Sequence, residues 1–165
     1  MVAGERERLM AAAKEEKNAE LRSEAVRQLG VMGAQTELWT LYQAESSTDL
    51  KKEILRSFFI GGAGEKLAEL ARTEKDADLR LAAIHNLGLM GKRWGESLTA
   101  IYAANTDKQV RMAVLHALFL QPNAQALIDI ARKESDPELK KEAVHRLSLT
   151  GSKEATDFMM EILNK

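Results

Sequence analysis

The chain contains no cysteine, which removes disulfides, thiolate zinc sites and cysteine nucleophiles from consideration. Only two prolines occur in its 165 residues, aromatics make up 5%, and no segment alternates apolar and polar residues with period two, so strands are not expected. No apolar run approaches the ~18 residues of a membrane span. The charged start GERERLMAAAKEEK is not a secretory signal. A signal on a longer parent chain could have been cut away, so the compartment stays open between cytoplasmic and secreted or periplasmic. An excess of charge of one sign is also missing: Lys plus Arg is 24, Asp plus Glu is 25, and the formal net charge is −1. That balance argues against a dominant nucleic-acid or polyanion role, although a local patch could still be basic.

What is present is one helix written five times. Its clearest copy is DPELKKEAVHRLSLTG, Asp136 to Gly151. Aligning on Leu139 gives the equivalents Leu21, Leu50, Leu79 and Val110, spaced 29, 29, 31 and 29 residues apart. Three residues before each anchor stand Asn18, Ser47, Asp76, Asp107 and Asp136, side chains that accept hydrogen bonds from the orphan N–H groups of a first helical turn. Pro137 follows the last of them at the first helical position, where its missing N–H costs nothing. Apolar residues recur four, five and eight positions after the anchor, as in Ala143, Val144 and Leu147, and at ~100° per residue they form one buried arc. Twelve positions on come Gly33, Gly62, Gly91, Pro122 and Gly151, which mark the helix stop.

A shorter helix precedes each copy. The pattern predicts hairpins over Glu5–Glu16 and Asn18–Val31, Gln35–Glu45 and Ser47–Ile60, Glu65–Glu74 and Asp76–Met90, Trp94–Asn105 and Asp107–Leu120, and Asn123–Glu134 and Asp136–Leu149. A helix over Ser152–Asn164 follows without a partner. The repeats cover approximately 5–33, 34–62, 63–91, 92–122 and 123–151, with a half repeat at 152–165, in a single domain. A hairpin of about 30 residues cannot bury its own face, so stacked hairpins make the core. A longer period is nested inside: nine residues after the anchor run Gly30, Phe59, Gly88, Phe119 and Ser148, small alternating with large. The expectation is that each phenylalanine fills the space its small neighbour leaves, making the unit a pair of hairpins, unless the two phenylalanines simply lie exposed.

The motif of acidic turn, apolar residue, basic residue, alanine-rich core and Leu-Gly, as in EKDADLRLAAIHNLGLMG from Glu74 to Gly91, resembles the HEAT repeat superfamily. It is similar in particular to the short bacterial repeats of phycocyanobilin lyases. The resemblance covers nearly the whole chain and implies an all-α fold of the α-α superhelix type, a right-handed α-solenoid of about eleven helices with an armadillo-type arrangement. It also implies a ladder between neighbouring repeats, built by the turn acid and the basic residue of Asp76 and Arg80, Asp107 and Arg111, and Asp136 and Lys140. Asn18 and Ser47 replace the acid in the first two copies and put the ladder in doubt there.

Few residues invite chemistry. His85, His116 and His145 share one repeat position, but helix axes ~8–10 Å apart do not bring three imidazoles to within ~2 Å of one metal. Leu81 and Leu89 flank His85, and Met112 and Leu120 flank His116, one turn away, so neither has a carboxylate there. The His-Glu pairs of HEAT-like di-iron hydroxylases are absent. Gly61-Gly62-Ala63-Gly64-Glu65-Lys66 lacks the spacing and the strand of a phosphate loop. No catalytic residue, metal ligand or cofactor is expected.

Surface remains. Offsets two, six and seven of the second helices point away from the buried arc, toward what is usually the concave face in the HEAT family. They carry Arg27, Lys52, Arg56, Lys141 and Arg146, a stripe suited to an acidic partner segment unless Glu53–Arg56 and Glu142–Arg146 simply pair within their helices. Mid-face, Leu81 and Met112 stand among polar positions, beside His85 and His116, either as an apolar docking patch or buried by curvature. Trp94 lies beside Lys92 and Arg93 in the one connector lengthened by two residues, where it either anchors a ligand or covers the core's end. Phe158, Met159, Ile162 and Leu163 make the last helix apolar, which reads as an excised segment of a longer repeat protein or an end that self-associates with another copy. The sequence thus reads as a non-enzymatic scaffold for an unidentified protein partner. The runner-up is a regulatory or assembly segment of a larger, lyase-like enzyme, and nucleic-acid binding stands behind both.

Overall fold

The computed structural model describes residues 2–165. Among them are eleven α-helices and no strand: α1 (Val2–Glu15), α2 (Ala19–Val31), α3 (Gln35–Ala44), α4 (Thr48–Ile60), α5 (Gly64–Thr73), α6 (Ala77–Leu89), α7 (Gly95–Ala104), α8 (Lys108–Leu120), α9 (Ala124–Lys133), α10 (Pro137–Thr150) and α11 (Lys153–Leu163). The chain divides into two compact units, Met1–Asn86 and Leu87–Lys165, and the division falls inside α6 rather than at a repeat boundary. In the first unit α1 packs on α3 and α2 on α4; in the second α9 packs on α11 and α8 on α10. Within each unit, first helices thus stack on first helices and second on second, the neighbour packing that an α-solenoid uses.

The predicted caps set the starts of the second helices. Asn18 accepts from the N–H groups of Glu20 and Leu21, Ser47 from Leu50, Asp76 from Leu79, Asp107 from Gln109 and Val110, and Asp136 from Glu138 and Leu139. The stops follow as well. Gly33, Gly62 and Gly151 take φ of 66°, 76° and 66°, the left-handed conformation that ends a helix cheaply only without a Cβ. Past these stops the Ala34 and Ala63 N–H groups reach back to Leu29 and Phe58 carbonyls at 2.9 and 2.8 Å, satisfying groups that the last turn would orphan.

The buried arc is observed in Leu50, Leu79, Val110 and Leu139, each at most 5% exposed. Leu21, the first anchor, is 55% exposed, because burial of the anchor needs a neighbouring hairpin and not the repeat position alone. The alternation of Gly30 with Phe59 and of Gly88 with Phe119 has a different physical basis from the expected filling of space. A Cβ on Gly30 would stand 2.8 Å from that of Ser57, and one on Gly88 2.7 Å from that of Ala117. The glycines therefore let neighbouring second helices touch backbone to backbone. Phe59 and Phe119 are only half-buried, and Phe119 lies between His116, with ring centroids 6.5 Å apart, and the Arg146 guanidinium, 5.5 Å from its ring.

Within each unit, side-chain ties between neighbouring repeats run chiefly through glutamates. Asp76, Asp107 and Asp136 cap their own helices, whereas Glu45, Glu74 and Glu134, two residues before Ser47, Asp76 and Asp136, reach back to the preceding repeat. Arg22 donates to Glu45, Tyr42 to Glu74, and Tyr102 to Glu134, with Arg111 3.5 Å from the same Glu134 carboxylate. The other oxygen of each glutamate accepts from the turn that follows, at Ser46 and Ser47, at Lys75 and Asp76, and at Asp136. The expected basic residues divide accordingly. Arg80 donates to the Ala71 carbonyl at 2.9 Å, Arg111 to that of Asn105 at 2.6 Å, and Lys140 is exposed. Asp136 also meets a cation of the preceding repeat, Lys108 at 3.4 Å.

Candidate partner-binding surface

On the second helices of the first unit, the apolar arc fixes which side faces out. Arg27 on α2 lies 2.9 Å from Glu24 on its own helix and 2.9 Å from Glu53 on α4. The Glu53 hydrogen bond and charge hold the Arg27 guanidinium above its usual range. Glu53 therefore does not pair with Arg56 in the same helix, as the i,i+3 spacing suggested. Lys52 and Arg56, four residues apart on α4, are both exposed, and no ion pair among the described residues includes either. They form one cationic turn facing outward. The other expected intrahelical pair exists: Arg146 donates to Glu142 at 2.6 Å on α10.

The remaining candidates separate. Leu81 and His85 are one turn apart on α6, Leu81 half-buried and His85 exposed. Met112 and His116 hold the same positions on α8 in the second unit, both half-buried, with the His116 ring against Phe119. His145 is exposed. Among the described residues no group of three His, Asp or Glu side chains is placed to hold a metal ion. Offset seven does not belong to the surface in the middle copies, since Ser57 and Ala117 are fully buried and Asn86 is 8% exposed.

Trp94 ends a 3-10 turn, Lys92–Trp94, inside the long connector, half-buried with the Arg93 guanidinium 5.4 Å from its ring. That connector is tied down from below. The buried Gln121 side chain donates to the Gly91 carbonyl at 3.1 Å and accepts from Asn123 at 3.0 Å. Those bonds explain why a glutamine occupies a site only 3% exposed.

The glutamates and tyrosines of the ladder were not singled out from the sequence, although a signal was there. Glu16, Glu45, Glu74 and Glu134 share one repeat position, and Tyr42 and Tyr102 share another that is alanine in the remaining copies. No protein-family model matches the chain, and a search of the curated proteins finds no match.

Proposed function

We propose that this chain is a non-enzymatic, HEAT-like protein-interaction scaffold that receives an acidic segment of a partner polypeptide on the face lined by its second helices. The observation that carries the reading is the pair Lys52 and Arg56, exposed on one turn of α4 and in no ion pair among the described residues, while Arg27 and Arg146 beside them in the repeat pattern are already neutralised. A cation with no partner keeps its charge for an incoming ligand, and an arginine fork adds geometric specificity toward carboxylates. Stacked helices supply the rigid spacing on which such contacts depend. The test is capture of partners by the wild-type chain beside Lys52→Glu/Arg56→Glu, after circular dichroism shows both folded. A partner held by the wild type and lost by the variant supports the reading, and equal capture removes this face from it.

An assembly role within a larger enzyme is favoured by a different observation. Met160, Ile162 and Leu163 on α11 are 53%, 38% and 74% exposed, an apolar strip that a further segment or another copy would cover.

A further inference from the structure

Two valleys between first helices are built to one plan, one in each unit. In the first, Tyr42 on α3 donates to Glu74 beyond α5, and the Lys51 ammonium lies 4.8 Å from the Tyr42 ring centroid. In the second, Tyr102 on α7 donates to Glu134 beyond α9, and the Arg111 guanidinium lies 4.8 Å from the Tyr102 ring centroid. The tyrosines, glutamates and cations occupy matching repeat positions. The scaffold is the same; the filling is not.

In the first valley the space beside Tyr42 is taken by Trp39. Its ring lies parallel to that of Tyr42, 5° between planes and 6.1 Å between centroids, and packs at 6.4 Å on Phe58. Lys66 of α5 closes over it, 4.3 Å from the indole centroid. In the second valley the position of Trp39 is Thr99, that of Lys66 is Ala126, and that of Gln43 is Ala103. Those three residues now line an open cleft of about 460 Å³, together with Tyr102, Ile130 and Lys133. Its size falls in the range of sites that take a ligand. The cleft has a buried apolar floor, Ile130 and Ala126 each being 8% exposed, and a charged rim.

We infer that the α7/α9 cleft binds an aromatic side chain, of the indole class, presented by a partner polypeptide. The first valley shows what such a site accepts: a planar ring carried by a polypeptide, laid along a tyrosine that is fixed by its own glutamate. Tyr102 is held in the same way, so the site is pre-organised and little ordering is lost on binding. A flat ring gains offset stacking there that an aliphatic side chain of similar area does not. The inference does not rest on the charged face of α4 and concerns the other layer of helices.

The test is a titration of the ¹⁵N-labelled full chain with the blocked tripeptide acetyl-Gly-Trp-Gly-amide, followed by NMR, beside the leucine-centred peptide. Saturable shifts at Thr99, Ala103, Ile130 and Lys133 are expected, with a Kd of about 1 mM for so small a ligand. The leucine peptide should bind about tenfold more weakly. Thr99→Trp/Ala126→Lys, which rebuilds the plug of the first valley, should abolish the shifts. Ala103→Trp, from an exposed lip of the cleft, is the second blocking variant if the first does not fold. No saturable shift, an equal response to leucine, or binding retained by a folded blocked variant would each overturn the inference.

Discussion

Glu74 accepts from the Tyr42 hydroxyl with one carboxylate oxygen and from the backbone N–H groups of Lys75 and Asp76 with the other. A single side chain thus fixes the turn of its own hairpin and ties that hairpin to the one before. Burial pushes the Glu74 carboxyl up, but the hydrogen bonds from Tyr42, Asp76 and Lys75 and the charge of Lys51 outweigh it and hold the group below the ordinary carboxylate value. Glu134 is held down in the same way, with burial opposed by Tyr102, the turn backbone and Arg111.

Tyr42→Phe and Tyr102→Phe keep the rings and remove the donors, so each should cost about 1–2 kcal/mol, read as a lower denaturant midpoint at unchanged slope. The cost depends on pH. With folded values below the unfolded ~4.3, the glutamates add stability that is complete above that value and is lost as pH falls through the folded one. Each variant should therefore lose more at about pH 6 than at about pH 3. Equal losses at both would contradict the role given to the carboxylates. The Tyr42 hydroxyl is itself pushed upward, by burial first and then by Glu74. Its contribution is therefore complete below about pH 10 and fades as pH rises through the folded value.

Gly30→Ala and Gly88→Ala place a methyl 2.9 Å from the Ser57 carbonyl oxygen and 2.8 Å from the Ala117 Cα. Backbone atoms do not yield as side-chain tips do, so the second helices must spread. Overpacking of about 1–3 kcal/mol should exceed the ~1 kcal/mol that alanine gains in helix propensity, and thermal unfolding should report a net loss. Ser57→Ala should do the opposite. Its hydroxyl is fully buried with no hydrogen-bond partner among the described residues, so removing it leaves stability unchanged or raises it by up to about 1 kcal/mol.

The ladder can be read from its basic side. Arg111→Ala removes a donor to the Asn105 carbonyl, a cation over Tyr102 and a partner of Glu134, and should cost about 1–3 kcal/mol. Lys140→Ala, at the same repeat position but exposed, should stay within about 0.5 kcal/mol. Equal costs in urea unfolding would restore the simple aspartate-to-basic ladder.

The hairpins and their caps were legible because capping and helix stops are local: Asn18, Ser47, Asp107 and Asp136 hold the hydrogen bonds that their side chains and positions dictate. What lay beyond the sequence was pairing between helices. Asp76 and Glu74 are both acids of one turn, and only the longer side chain spans to the preceding repeat. Spacing offered Glu53 the cation Arg56 on its own helix, whereas the packing of α2 on α4 gives it Arg27 instead. Gly30 meets Ser57 and not Phe59, because residues that touch across crossing helices need not share a repeat position. For the candidate surface, the sequence marked Lys52 and Arg56 as charged and outward-facing, but their lack of partners appears only once the partner of Glu53 is known.

That lack of partners is the central claim, and anisotropy titration of a labelled glutamate-rich peptide tests it most directly. The wild-type chain and Lys52→Glu/Arg56→Glu are compared at about 0.05 M and about 0.5 M salt, since screening separates exposed charge pairing from apolar docking. Because no ion pair among the described residues includes either, the variant should match wild-type stability within about 0.5 kcal/mol. The account predicts saturable wild-type binding that weakens with salt and disappears in the folded variant. No wild-type binding at low salt, or binding of equal strength in both, would contradict it.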